Sequence, residues 1–235
     1  MADNIARVLA AAVAADPARP LLTWYDDATG DRTELSGATL DNWVAKTANL
    51  LVDSAGLAPG DSAGVLLPPH WQTAAVLLGC WSAGLAVRGT VARPSAGAQP
   101  GTVAQPGAAA QPGEPPQPVD VLFAAADRVG EAAAWPATDR YALALAPLAA
   151  PLRELPAGFA DYVIEVRGHG DHFAPYPEGG PQDAELCGRA ARRGAALGIG
   201  AGDRVLIDAE RHPDPVDWLL TPISAGASKI GRAHV

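Results

Sequence analysis

The sequence predicts an α/β protein built of two similar lobes, with mixed or mostly parallel sheets and flanking helices. Three observations predict it. Short apolar runs alternate with segments of helical period from residue 36 onward, the pattern of strand–helix–strand crossovers. Two segments match without gaps at an offset of 142 residues, pairing Gly56 with Gly198, Gly60-Asp61 with Gly202-Asp203 and Ser82-Ala83-Gly84 with Ser224-Ala225-Gly226. A segment of Ala, Gln, Pro and Gly separates the two copies.

Each element follows from local chemistry. Asn4 caps a helix whose apolar positions Ile5, Val8, Leu9, Ala12 and Val13 recur at helical spacing until Pro17 stops it. "PLLTWYDDATGDRTELS" reads as a hairpin, with "DDATGD" supplying the turn. Ser36 starts a second helix with Leu40, Trp43, Val44, Thr47 and Leu51 on one stripe, and Gly56 ends it. "SAGVLLP" is a short apolar strand of the kind buried in a parallel sheet, "HWQTAAVLLGCWSAG" is helical, and "LAV" begins another strand. Farther on, "VDVLFAAADR", "YALALAPLAAPL" and "DYVIEV" are expected to be strands. The expected divisions are a first lobe over 1–92, a flexible linker over 93–118 and a second, truncated lobe over 119–229. "AQPG" recurs every six residues within the linker, at Ala98, Ala104 and Ala110, with nothing apolar to build a core.

Composition limits the partners. A net charge of -9 without a run of Lys or Arg argues against nucleic acid or an anionic membrane, both of which need clustered cations. A small molecule or another protein is the expected partner, and the oligomeric state is left open. No apolar stretch is long enough to span a bilayer and no signal peptide is evident, so the cytoplasm is the expected location. Cys80 and Cys187 lie in unrelated segments and signal neither a redox pair nor a zinc site.

Residues Arg19 to Val87, with their hairpin, helix, "GD" before a strand, "LLP" turn and apolar helix ending in "AG", resemble the opening of the adenylate-forming superfamily. Its members include acyl-CoA synthetases, peptide-synthetase adenylation domains and luciferases. The "GDRVLIDAERHPDPVDWLLTPISAGAS" segment further resembles a short uncharacterised actinobacterial family related to AMP-binding enzymes. The superfamily's large domain has two similar α/β lobes, which accounts for the repeat. The resemblance implies ATP-dependent activation of a carboxylate and transfer to a thiol, with ATP or AMP and Mg as the cofactors of any activity retained.

That chemistry needs a Ser/Thr/Gly-rich phosphate loop with a Lys before the helix of the second lobe. Here the place is taken by "RGHGDHFAPYPEGGPQ", without Ser, Thr or Lys. Arg167, Gly168, His169 and Gly170 are the cofactor-binding candidates that remain. His212 falls near the superfamily's aromatic-histidine turn, without its aromatic neighbour. No catalytic residue is assigned, and His169, Asp171 and His172 are the weak metal candidates, because adjacent Asp171 and His172 point apart in an extended chain. The magnesium motif, the ribose-binding aspartate and the C-terminal domain with its lysine are not found. The expected function is therefore a pseudoenzyme or a module binding an acyl group or nucleotide. The alternatives are a truncated ATP-dependent carboxylate–CoA ligase and a structural protein-interaction module. Any cleft is expected at the carboxyl ends of the strands between the lobes, with Gly168, His169, Asp171 and His212 in it.

The repeat calls for an apolar strand after "SAGAS", but the sequence meets "KIGRAHV". One reading frame of ATC GGA AGA GCA CAC GTC encodes Ile-Gly-Arg-Ala-His-Val and looks like the start of a widely used sequencing adapter. Residues 230–235 are accordingly expected to be a non-native read-through tail, and Arg232 and His234 are given no role.

Overall fold

The computed structural model describes residues 4–27, 29–89, 116–209 and 211–233. Most of the expected linker lies outside the described residues. Among the described residues no helix is long and apolar enough to cross a membrane.

Helix α1 (Ile5–Ala15) is capped by Asn4, whose Oδ1 accepts the Arg7 N–H at 3.0 Å, and it buries Ile5, Leu9 and Ala12. Strands β1 (Pro20–Asp26) and β2 (Arg32–Ser36) form the antiparallel hairpin. Ser36 then caps α2 (Gly37–Asn49), which runs into a π-helical turn over Leu50–Ser54. Strand β3 (Ser62–Leu66) is buried at every position, as expected for a strand with both faces covered. Helix α3 (Trp71–Ser82) is also buried throughout, which explains its apolar character on all sides. The order continues with β4 (Ala86–Arg88), β5 (Val119–Ala125), α4 (Val129–Ala132), β6 (Ala137–Leu143) and β7 (Ala160–Asp161). It ends with α5 (Tyr162–Arg167), α6 (Asp183–Leu197), β8 (Arg204–Asp208), α7 (Thr221–Ser224) and β9 (Ser228–Ala233).

Two sheets result. One is fully parallel in the order β4-β3-β5-β6-β7; the other, β2-β1-β9-β8, is parallel except for the hairpin. Each sheet draws strands from both sides of residues 93–118. A lone hairpin is marginal in water, and β1 gains β9 as its second neighbour.

The repeated segments make the same hydrogen bonds. Gly60 N–H donates to Gly84 C=O at 3.0 Å, and Gly202 N–H to Gly226 C=O at 3.1 Å. Asp61 Oδ2 accepts the Ala58 N–H at 2.8 Å, and Asp203 Oδ2 the Gly200 N–H at 2.8 Å. In both copies the turn and the "SAG" segment are thereby tied together, so the helix returns its strand beside the preceding one.

Two expectations need correction. "DYVIEV" is not a strand beyond Asp161. Asp161 Oδ1 accepts the Val163 and Ile164 N–H groups at 2.8 and 3.2 Å, and this cap starts α5 in spite of the β-branched residues. "YALALAPLAAPL" is extended only to Leu143, because Leu145, Leu148 and Ala149 take positive φ values of 53°, 55° and 51°. Residues 230–233, set aside as tail, lie within β9 between β1 and β8. That pairing uses backbone donors and acceptors, which are indifferent to the origin of the side chains. Cys80 and Cys187 are both buried.

Candidate functional site

The carboxyl ends of strands from both sheets converge on a cavity of about 440 Å³, within the roughly 300–1,000 Å³ of small-molecule sites. The position is the one expected for a ligand in an open α/β sheet. The hairpin contributes Trp24 and Asp26 from β1, Thr29 and Asp31 from the turn, and Thr33. Pro68, His70 and Trp71 come from the connection between β3 and α3. Ala125 ends β5 and is followed by Ala126 and Asp127, and Ala144 to Pro147 follow β6.

Local structure fixes these groups. Asp26 Oδ1 accepts the Thr29 N–H at 3.3 Å and Asp31 Oδ2 accepts the Thr29 hydroxyl at 2.8 Å, so the hairpin turn is braced by its own carboxylates. His70 caps α3, with Nδ1 accepting the Gln72 N–H at 3.2 Å. Its ring centroid lies 5.7 Å from Trp24, edge to face, and 5.7 Å from Trp71. Burial, reinforced by the charge of Lys229 and opposed by Asp26, pushes the His70 pKa down to about 3. The imidazole is therefore neutral near pH 7, and because Nδ1 accepts, the proton sits on Nε2. A group this weakly basic is suited to donating a hydrogen bond rather than to taking a proton.

Behind Trp24 lies Lys229 of β9, which is 1% exposed. Its Nζ is 4.2 Å from the Trp218 ring centroid and 4.9 Å from that of Trp24, with no hydrogen-bond partner among the described residues. Burial pushes its pKa down to about 7. The two indole rings offset part of the cost of burying the ammonium.

None of the residues singled out from sequence lines this cavity. Arg167 donates from Nη2 to Ala149 C=O at 2.9 Å and so braces the loop after β6 from behind. Gly168 closes α5, its N–H donating to Glu165 C=O at 3.2 Å. His169 accepts at its carbonyl from Lys46 Nζ, and its Nε2 lies 3.2 Å from the Ser54 hydroxyl. Asn49 Nδ2 donates to the carbonyls of Gly170 at 2.8 Å and His172 at 3.0 Å. Asp171 and His172 are exposed, and His172 faces Asp41, whose carboxyl is raised by burial and lowered less by the imidazole. His212 is exposed in the turn after β8, with its N–H on Asp208 C=O at 3.1 Å. Among the described residues no group of three or more His, Cys, Asp or Glu side chains could hold a metal ion, so His169, Asp171 and His172 do not form one.

Sequence reasoning missed His70, Trp24, Trp71 and Asp127. The available signal was "LLPPHW": a turn leaving the carboxyl end of a buried parallel strand and placing a histidine at the helix start.

Comparison with known proteins agrees with this architecture. A family model described as AMP-binding enzyme matches residues 9–98. A TIGR03089 family protein of Mycobacterium tuberculosis is 40% identical, over 94% of this chain and 85% of that protein. The acyl-CoA synthetase of Brucella canis superposes with a TM-score of 0.67 at 17% identity, over 99% of this chain. The anthranilate CoA ligase AuaEII, solved in complex with anthranoyl-AMP, gives a TM-score of 0.68 at 12% identity over 97% of this chain. The chain spans 43% and 44% of the lengths of those two structures. Two lobes with these sheets are thus the fold of the N-terminal part of acyl-CoA synthetases, and the chain belongs to the TIGR03089 family.

Proposed function

We propose that this chain binds a small molecule in the cavity between its two sheets and does not itself form acyl-adenylates. One observation carries the reading: residues 167–182, standing where the resemblance puts the phosphate loop, are engaged in packing. A phosphate cradle presents converging N–H donors and a cation. Here the segment presents carbonyls to the helices, with Asn4 Nδ2 on Tyr176 C=O at 3.2 Å and Arg7 Nη2 on Pro177 C=O at 3.1 Å, besides the Lys46 and Asn49 bonds. The N–H groups of Gly168, His169 and Gly179 close local turns onto Glu165, Val166 and Tyr176. Asp171 and Glu178 add negative charge where a triphosphate would lie.

The test is thermal unfolding of the protein with Mg-ATP, AMP and coenzyme A. A ligand bound only to the folded state raises the midpoint. No rise is expected with Mg-ATP at millimolar concentration, and a saturable rise contradicts the reading. A second reading, part of an ATP-dependent carboxylate–CoA ligase, is favoured by one observation: the structural relatives are named synthetases and ligases, and this chain spans less than half of each.

A further inference from the structure

The lining of the cavity is chemically one-sided. Among the described residues its charged side chains are Asp26, Asp31 and Asp127, and no Lys or Arg lines it. Its aromatic walls are Trp24 and Trp71, with His70 between them. The buried side of the Trp24 ring already faces the Lys229 amine, with Nζ 4.9 Å from the ring centroid. His70 adds a directional group: with Nδ1 occupied by the Gln72 N–H, the Nε2–H at the far side of the ring makes no hydrogen bond to any described residue. His70 is half-buried and lines the cavity, so this N–H is open to an acceptor atom of a ligand there. Carboxylates at the rim repel phosphate and carboxylate ligands, whereas indole faces and carboxylates together attract a cation with an apolar body.

We propose that this cavity takes a small organic cation with an aromatic or apolar body, of the amine or quaternary ammonium class, with any acceptor atom it carries directed to His70. The proposal rests on the reading that the cavity is the ligand site, and it is independent of whether nucleotide binds elsewhere.

Three probes share one ring and differ in charge: benzyltrimethylammonium, benzyl alcohol and benzoate. Their binding is followed by chemical-shift titration at pH 8, where the Lys229 amine is largely neutral. Benzyltrimethylammonium is expected to bind saturably and tightest, and benzoate weakest. Asp127→Asn, at an exposed position that leaves packing intact, is expected to weaken the cation by about threefold, in line with one partly exposed charge pair. Asp53→Asn, at an exposed position outside the cavity lining, is expected to leave it unchanged. Benzoate binding as tightly as the cation, no saturable binding by any probe, or equal affinity for wild type and Asp127→Asn overturns the proposal. A midpoint rise with Mg-ATP refutes the nucleotide reading alone, so the two failures are distinguishable.

Discussion

Replacing Lys229 by Met should stabilise the protein, and by an amount that depends on pH. The ammonium is buried between Trp24 and Trp218 without a hydrogen-bond partner among the described residues. Its repeat counterpart is Val87, which shows the kind of side chain this strand position suits. The ordinary lysine value is 10.5 and the folded value about 7, a gap worth about 5 kcal/mol. The folded pKa lies below the unfolded one, so between pH 7 and 10.5 the unfolded chain holds the extra proton and wild-type stability rises with pH. Above that window the penalty for charge is absent; below pH 7 it is felt in full. The advantage of Lys229→Met over wild type should therefore be largest at pH 7 or below and narrow by about 2–3 kcal/mol between pH 7.5 and 9.5. His70, pushed down to about 3, exchanges no proton in that range. Urea unfolding followed by tryptophan fluorescence at four pH values measures the difference. A difference that stays constant with pH, or a variant less stable than wild type throughout, would show that burial does not depress the Lys229 pKa.

Two further perturbations probe the frame around the site. Asp161→Ala removes the α5 cap and the carboxylate oxygen that accepts the Leu152 N–H at 2.6 Å; a loss of about 2 kcal/mol in urea unfolding is expected, and a loss below 0.5 contradicts the capping role. Gly79→Ala places a methyl 2.5 Å from Thr47 Cβ, where α2 and α3 touch, and should cost about 1–3 kcal/mol; a neutral result would show that the helices can part freely.

Much of the fold was legible because it is local. Asn4 and Ser36 as caps, the "DDATGD" turn and the glycines of the repeated turn each act through chemistry visible in a few consecutive residues. What was not legible depended on partners far away in sequence. Nothing near Leu22 announces that β1 pairs with Lys229, because parallel strands are brought together by crossovers rather than by turns. The same holds for the site. His169 and His172 stand out in a polar, glycine-rich stretch, yet the C-terminal end of α2 holds their loop through its carbonyls, on Lys46 and Asn49. His70 is surrounded in sequence by prolines and tryptophan, and becomes a site residue only when the hairpin and the ends of β5 and β6 close around it. The helix at 162–167 was lost because β-branched residues read as strand, while a single carboxylate at Asp161 decided the backbone.

We propose that this chain keeps the fold of the N-terminal part of acyl-CoA synthetases while residues 167–182, where the resemblance puts the phosphate loop, serve packing. ATP–pyrophosphate exchange tests it directly, with the protein, Mg-ATP, labelled pyrophosphate and a panel of aliphatic and aromatic carboxylic acids. No exchange above the protein-free background is expected with any acid, and acid-dependent, saturable exchange would contradict the proposed loss of adenylation.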